Sequence, residues 1–201
     1  VNERAETSVK GLYAAGDTSL VARGHLSGAF VFGEIAAESA SDFAAGHRHV
    51  ELDRRQVDAF TEKRRNRLAQ RGGSVTIEEF EYKVRRIIND YIRPPKNEYK
   101  LDRALWWMGR FRQELGEVVR VGDIHDLYKT YEVENIIECA TLSALASKER
   151  RESRWLPWHY RSDYPKPGGD EWLKHVVLTK DRDTGGVRLS FKDIIRMQKG
   201  H

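Results

Sequence analysis

Apolar residues recur at helical spacing through the middle of the chain, and this pattern predicts a series of helices. In one of them Phe80, Val84 and Ile88 form a stripe with four-residue intervals, which places their side chains on a single helix face. Pro94-Pro95 ends that helix, because the residue before a proline avoids the helical conformation. The predicted helices span about residues 53–70, 76–93, 98–115 and 124–151, and their short connections favour an antiparallel bundle of three or four helices.

The two ends of the chain carry other patterns. Near the start, Gly11–Ala15 is typical of a short buried strand, and a helical pattern rich in small side chains runs from Ser27 to about Ala45. Near the end, Lys174–Leu178 and Gly186–Ser190 are strand-like runs, which predict a β-hairpin. We therefore expect a mainly α protein with three regions, at residues 1–48, 49–165 (the bundle) and 166–201 (the hairpin).

Composition and charge narrow the classes of protein that fit. The 201 residues are 39% hydrophobic and 33% charged, as in soluble globular domains, and no apolar run approaches the roughly 20 residues that span a bilayer. The single cysteine, Cys139, excludes an internal disulfide, and its apolar helical surroundings predict a buried thiol. The net charge is +4, but Asp58 and Glu62 interrupt the arginine-rich stretch at 54–71, so we expect a solvated helix face there and no nucleic-acid binding.

Candidate metal ligands are sparse. His47, His49 and Glu51 alternate at every second position, which suits one face of a strand. The stretch has no clear fourth ligand and no second cluster to complete a coordination shell, so we expect no metal site.

A candidate ligand site lies close to the start of the chain. Gly16-Asp17 follows the predicted strand, and a carboxylate there can accept hydrogen bonds from sugar or ribityl hydroxyls, although the pair alone is more typical of a plain turn. Gly24–Gly28 precede the next predicted helix, whose first amides suit an anion or an electron-rich ring edge. Together the two segments predict one end of a site for a large polar cofactor. No phosphate-binding turn precedes them, so we expect the chain to be the C-terminal part of a longer protein.

Several motifs, taken in order, carry a resemblance to a known family. The sequence GLYAAGD at 11–17 is followed by SGAFVFGEIAAESA at 27–40, and the stretch ESR at 152–154 is followed by His159, Arg161 and DYP at 163–165. WWMGRFR at 106–112 and Glu134-Asn135 fit as well. The chain resembles, over about residues 9–178, the flavoprotein family of fumarate reductase and succinate dehydrogenase, which includes L-aspartate oxidase and the alpha subunit of adenylylsulfate reductase.

The resemblance implies a fold, a cofactor and a chemistry. It implies a remnant of an α/β FAD-binding domain at 1–48, before the helical bundle and the hairpin. Gly16 and Asp17 are expected near the FAD ribityl chain, and the backbone of His25, Leu26 and Ser27 is expected to face the pyrimidine edge of the isoalloxazine ring. The family implies hydride transfer between flavin and substrate, with electrons passing through an iron–sulfur partner.

The same resemblance implies what the chain lacks and what it binds. The family's proton-donating arginine belongs to the part that precedes this sequence, so the catalytic residues are expected there, and the isolated chain is expected to be inactive and not to hold FAD tightly. The implied partners are the iron–sulfur subunit, the remainder of the flavoprotein and a second copy. The implied location is the cytoplasm, or a membrane surface through partner subunits. An alternative from another class is a non-catalytic helical module for interaction or oligomerisation.

Two departures from the family pattern bear on the substrate. Leu20 stands where succinate and fumarate enzymes carry a substrate-binding arginine, with Arg23 close by, and Gly24-His25 is more similar to the adenylylsulfate reductase pattern. Arg23 and His25 are therefore the candidate substrate contacts, and a branch similar to adenylylsulfate reductase, or an uncharacterised one, becomes an alternative. In the second motif, WLPW replaces the family's glycine and lengthens the segment. For Arg154, His159, Arg161 and Asp163 we expect a structural or interface role, since such residues tie helices to a neighbouring domain through charge-assisted hydrogen bonds.

Overall fold

The computed structural model describes residues 1–19, 26–48, 51–69, 72–181 and 183–194. The chain divides into two compact units, Val1–Val57 and Asp58–His201. Among the described residues the elements are five α-helices and one two-stranded antiparallel sheet. This confirms the expected mainly α fold with a C-terminal hairpin.

The first unit consists of a tight N-terminal turn structure and a long helix, α1, at Leu26–Gly46. The predicted strand at 11–15 is wrong: its residues make only a short ladder with the segment before them, in which the Ala14 amide donates to the Ala5 carbonyl at 3.1 Å and Tyr13 bridges Glu6. A buried strand needs hydrogen-bonding neighbours on both sides, and the described part of this unit does not supply them. A 3₁₀ turn at Gly16–Thr18 follows.

Helix α2, at Arg54–Leu68, carries the arginine-rich stretch. None of its residues is buried, and Val57 and Phe60 are 45% and 62% exposed. The helix ends two residues before the predicted Gln70, which lies outside the described residues. Its basic side chains are therefore exposed, as charge interleaving suggests, except for Arg67, whose side chain is only 13% exposed.

The second unit is built around a bundle of three helices, α3 at Ile77–Tyr91, α4 at Glu98–Glu117 and α5 at Ile124–Glu149. Each starts at a side-chain cap that satisfies free amides of the first turn, as short polar residues do before a helix. In α3 the cap is a reciprocal pair, since the Glu79 amide donates to the Thr76 hydroxyl and the Thr76 amide donates to the Glu79 carboxylate. At α4 and α5 the cap is one-way: the Asn97 side chain accepts from the Lys100 amide, and the Asp123 side chain accepts from the Asp126 amide.

The core of the bundle contains the apolar stripes that the sequence indicates. Phe80 of α3 meets Phe111 of α4 edge-to-face, with ring centroids 5.5 Å apart, a favourable aromatic geometry. Other fully or almost fully buried members of the core include Ile77, Val84, Leu101, Ala104, Met108, Leu115, Val133, Ile137 and Ala144. Cys139, however, is exposed, so its predicted burial is wrong. It lies about 200° around α5 from Ile137, at roughly 100° per residue, and therefore on the opposite face.

The hairpin follows the bundle. Strand β1 at Lys174–Lys180 pairs with β2 at Val187–Asp193, with Leu178 opposite Leu189, and β1 packs against α5. Every residue of β2 is exposed. Because β2 has one neighbour in this two-stranded sheet, its outer backbone edge has no partner strand within the described residues.

Candidate functional site

The predicted cofactor segment begins with Gly16, which is buried and has a φ of 70°. Only glycine adopts this left-handed conformation without cost, and a Cβ at this position would stand 3.4 Å from the Cβ of Ala29 in α1. The turn at 16–18 therefore lies against α1 at close range. Asp17, the next residue, keeps its carboxylate exposed.

The start of α1 supplies the second half of the segment. Leu26 and Ser27 form the first turn of this helix and are exposed, Leu26 at 74%. The amides of a first turn have no partner inside the helix, and they carry the positive end of the helix dipole. Arg23 and His25, the candidate substrate contacts, lie outside the described residues, as does Leu20.

These features fit one end of a flavin nucleotide. Gly16 lets the turn lie against α1, the Asp17 carboxylate can accept hydroxyl hydrogen bonds, and the first amides of α1 can donate to an electron-rich ring edge. The unit also buries little of its own apolar surface. Within α1 only Ser39 is buried, while Phe30 and Val31 are 70% and 56% exposed. A long helix with so much exposed apolar surface is typical of one that packs against further protein.

The second motif forms an ionic cluster after α5, centred on Arg161. This side chain has no exposed area; its Nε and Nη2 donate to the two carboxylate oxygens of Asp163 at 2.8 and 2.7 Å. Its Nη1 donates to the carbonyls of Ser147 and Lys148 at 2.6 and 3.1 Å, which are free carbonyls at the end of α5. Asp163 in turn accepts from the amide of Glu98, the first residue of α4, at 2.8 Å. One guanidinium and one carboxylate thus join the ends of two helices.

Arg154 belongs to a second ionic cluster around Glu152, which is 2% exposed. Arg154 pairs with Glu152 through Nε, and the same carboxylate accepts from Nη1 of Arg150 at 2.6 Å and from the Gly168 amide at 2.8 Å. Burial alone would raise the pKa of Glu152, but these hydrogen bonds more than offset it and hold the pKa below its usual value. The cluster fixes the segment at 166–169 to the end of α5.

His159 lies beside a buried lysine that the sequence pattern did not single out. Lys96 is 7% exposed and donates from Nζ to the Ser147 hydroxyl at 2.9 Å. Burial, reinforced by the charge of Arg161, lowers the pKa of Lys96, and burial together with the charge of Lys96 lowers the pKa of His159. Lys96 is buried because its amide and carbonyl pair with Tyr160 and Ser162, a contact across more than sixty residues that no local pattern indicates.

The inserted WLPW sequence forms an exposed turn. Its ends are tied by hydrogen bonds from the Trp158 amide to the Trp155 carbonyl (2.9 Å) and from the Arg154 amide to the His159 carbonyl (3.0 Å). Trp155, Leu156 and Trp158 are 84%, 63% and 71% exposed. The turn therefore exposes three large apolar side chains, and two backbone hydrogen bonds hold its shape.

The sequence profile of fumarate reductase flavoprotein C-terminal domains matches residues 81–199, more than half of the chain. The chain belongs to this family. The match covers α3 from Glu81 onward, α4, α5, both ionic clusters and the hairpin, so most of the bundle and its C-terminal ties are the family's domain.

Named relatives of this flavoprotein family extend the match toward the N-terminus. An uncharacterized FAD-dependent oxidoreductase of Methanocaldococcus jannaschii is 29% identical over 185 residues, which cover 89% of this chain and 33% of that protein. The fumarate reductase flavoprotein subunit of Escherichia coli is 26% identical, with 96% of this chain and 34% of that subunit covered. The chain thus spans about a third of the length of the relatives it matches.

A solved structure shares the fold of this chain. Adenosine-5-phosphosulfate reductase in complex with sulfite superposes with a TM-score of 0.80 at 24% identity, covering 96% of this chain and 33% of that one. Among the described helices, none combines the length and the hydropathy that a bilayer crossing requires. The described residues also contain no group of three or more potential metal-ligating side chains of the His, Cys, Asp and Glu types.

Proposed function

We propose that this chain is the C-terminal portion of an FAD-dependent oxidoreductase that transfers a hydride between flavin and substrate. The observation that carries the proposal is the family match over the bundle. In the first unit the glycine turn, the exposed Asp17 and the first turn of α1 follow one another in the order the cofactor needs. The named relatives include an FAD-dependent oxidoreductase and a fumarate reductase flavoprotein subunit, which supports the same chemistry.

In this proposal the chain's own residues bind the cofactor and orient the substrate. Asp17 accepts hydrogen bonds from ribityl hydroxyls, and Gly16 lets the turn that carries Asp17 lie against α1. The backbone of His25, Leu26 and Ser27 faces the pyrimidine edge of the ring, where first-turn amides stabilise negative charge. Arg23 and His25 contact the substrate. When bound, FAD supplies the redox chemistry itself.

The second unit acts as a support in this proposal. Arg161 binds the end of α5 and Asp163 binds the start of α4. The backbones of Arg154 and His159 are hydrogen-bonded to each other and close the turn that lies between these two residues. The proton-donating residue belongs to the remainder of the flavoprotein. The isolated chain is accordingly inactive and retains no FAD, and in the whole protein electrons pass to an iron–sulfur subunit.

Flavin absorbance tests the proposal. The reading frame that contains this sequence is expressed in full, and flavin is quantified in the purified protein alongside the isolated 201-residue chain. We expect about one FAD per full protein and none on the isolated chain. Asp17→Asn should lower FAD retention in the full protein, while Glu34→Gln, which neutralises another exposed acid of the first unit, should not. A full-length protein without flavin, or stoichiometric flavin on the isolated chain, would contradict the proposal.

A second candidate is a non-catalytic interaction module, and the exposed WLPW turn favours it. Two tryptophans at 84% and 71% exposure are unusual on a surface without a partner, because tryptophan is enriched at protein interfaces. Affinity capture with the remainder of the flavoprotein, compared with capture of an unrelated partner, separates the two functions. If the full protein lacks flavin yet captures a partner through Trp155 and Trp158, the second candidate replaces the first.

A further inference from the structure

A cavity of about 290 Å³ lies between α2, α4 and α5. Its volume is at the lower end of the range for small-molecule sites. The walls carry charges of both signs together with an amide and apolar surface; they are formed by Arg67, Arg112, Leu115, Gly116, Glu134, Asn135, Ile137 and Glu138. Two arginines and two glutamates make the formal charge of this lining zero.

Arg67 is the most buried of the four charged side chains in this wall. It is 13% exposed, and its ion pair with Glu134 is long, with 3.9 Å from Nη1 to Oε2. Its Nε is buried and has no hydrogen-bond partner in the part of the chain that the structure describes. A guanidinium presents parallel donors that match the two oxygens of a carboxylate. Arg67 lines the cavity, so its Nη groups are the donors that a carboxylate there can meet, whereas the buried Nε has no accessible surface.

Arg112 differs from Arg67, because it already donates from Nη2 to the Glu138 carboxylate at 2.5 Å. Because Arg112 pairs with Glu138, the other acid of the wall is Glu134. Its side chain is 41% exposed, and its ion pair with Arg67 is long. Glu134 can accept from a ligand ammonium group, and Asn135 beside it can donate or accept. A ligand with a second negative charge would be repelled by Glu134 and Glu138.

We propose that this cavity binds a small zwitterion of the α-amino-acid class, with its carboxylate on Arg67 and its ammonium group on Glu134. A ligand with both charges forms an ion pair with Arg67 and another with Glu134. A simple carboxylate or a simple amine forms one of these pairs and leaves the other side chain without a ligand partner. The inference concerns the bundle only and does not depend on flavin binding. Its failure would leave the proposed oxidoreductase function untouched.

Three probes of matched shape test it on the intact chain. L-Alanine carries both charges, propionate lacks the ammonium group and ethylamine lacks the carboxylate. Titration calorimetry and ligand-detected NMR should show L-alanine binding about tenfold or more tightly than either analogue, because each lost charged hydrogen bond costs about that factor. Absence of L-alanine binding, or equal binding of propionate, would overturn the proposal.

Variants locate the two contacts. Arg67→Gln should abolish L-alanine binding, whereas Arg64→Gln should preserve it. Arg64 is a matched control because it also lies over the Tyr131 ring, 6.0 Å from its centroid against 5.9 Å for Arg67, yet does not line the cavity. Equal losses from the two changes would refute the site.

Glu134→Gln provides a second test that does not rely on the folding of the Arg67 variant. It should weaken L-alanine binding and leave propionate binding equal or tighter, since the repulsion between the two carboxylates is removed, so that the two affinities converge. If L-alanine still binds this variant as tightly as it binds the original chain, the assignment of Glu134 is wrong. Circular dichroism of each variant confirms that the helices are retained.

Discussion

Arg161 and Asp163 form a two-pronged ion pair, 2.8 and 2.7 Å long, in which the arginine has no exposed area. The remaining donor of the same guanidinium ends α5 through the Ser147 carbonyl at 2.6 Å. A buried charge of this kind is tolerated only because every donor direction meets an oxygen. The buried arginine of this pair therefore holds the end of α5 in place, and its contribution to stability can be measured by mutation.

Removal of Arg161 should be strongly destabilising. Arg161→Ala leaves Asp163 without its partner and exposes the last carbonyls of α5, so we expect the free energy of unfolding to fall by about 3–5 kcal/mol. Arg161→Lys, which keeps the charge but loses the parallel donors, should cost less. Urea denaturation followed by circular dichroism measures both. Arg151→Ala, at an exposed neighbour, is the control and should change stability by less than about 0.5 kcal/mol.

Acid should weaken the fold through Asp163 and Glu152. Hydrogen bonds from Arg161 hold the pKa of Asp163 below its usual value; for Glu152, burial acts upward, but bonds from Arg150, Arg154 and Gly168 outweigh it and lower the pKa. Each depressed pKa stabilises the fold fully above the unfolded value of about 4, and this contribution disappears as the pH falls through the folded value.

The urea midpoint should therefore drop between about pH 5 and pH 3. Glu152→Gln should have a lower midpoint at neutral pH and a shallower decline in acid, because one of the two linked protons is gone. A midpoint that stays constant over this interval would refute the assignment of these carboxylates.

Two adjacent glycines should respond differently to alanine. A Cβ on Gly73 would collide with backbone atoms of Arg120, Val119 and Val118, where Val75 bridges to Val119, whereas a Cβ on Gly72 would meet nothing within 4 Å. We expect Gly73→Ala to destabilise the chain by about 1–3 kcal/mol, as overpacking does, and Gly72→Ala to be near neutral or slightly stabilising. Thermal unfolding of the two variants provides the comparison, and equal melting temperatures would show the Gly73 contact to be absent.

The exposed turn should be dispensable for folding. Trp155→Ala and Trp158→Ala remove side chains that are 84% and 71% exposed, so each should change the free energy of unfolding by no more than about 0.5 kcal/mol. Phe111→Ala, a core change at 3% exposure, should cost about 3–5 kcal/mol under the same conditions. Losses of similar size at the turn and in the core would mean that the tryptophans are packed in solution.

Local sequence patterns predicted most of the bundle because its helices are specified locally. The stripe of Phe80 and Val84, the cap at Thr76 and the stop at Pro94 all act within a few residues, and the observed bounds of α3 and α4 follow them closely. The strand at 11–15 was predicted from the same kind of local pattern, but a strand exists only with neighbours, and those come from elsewhere in a chain.

The candidate site was predictable only in part for the same reason. The motif at 152–165 identified Arg161 and Asp163, yet their bonds to Glu98 and Ser147 join segments far apart in sequence. The burial of Lys96 and the exposure of Cys139 likewise depend on which faces meet after folding. The cavity beside Arg67 arises from three helices, and no single segment encodes it.

The position of Cys139 gives the bundle a built-in attachment point. It is the sole thiol of the chain and stands on the solvent side of α5, opposite the face that packs into the core. A maleimide dye or nitroxide added to the unaltered protein will therefore label one place only. Fluorescence or electron paramagnetic resonance from that label can follow docking of other subunits onto this helix without any prior mutagenesis.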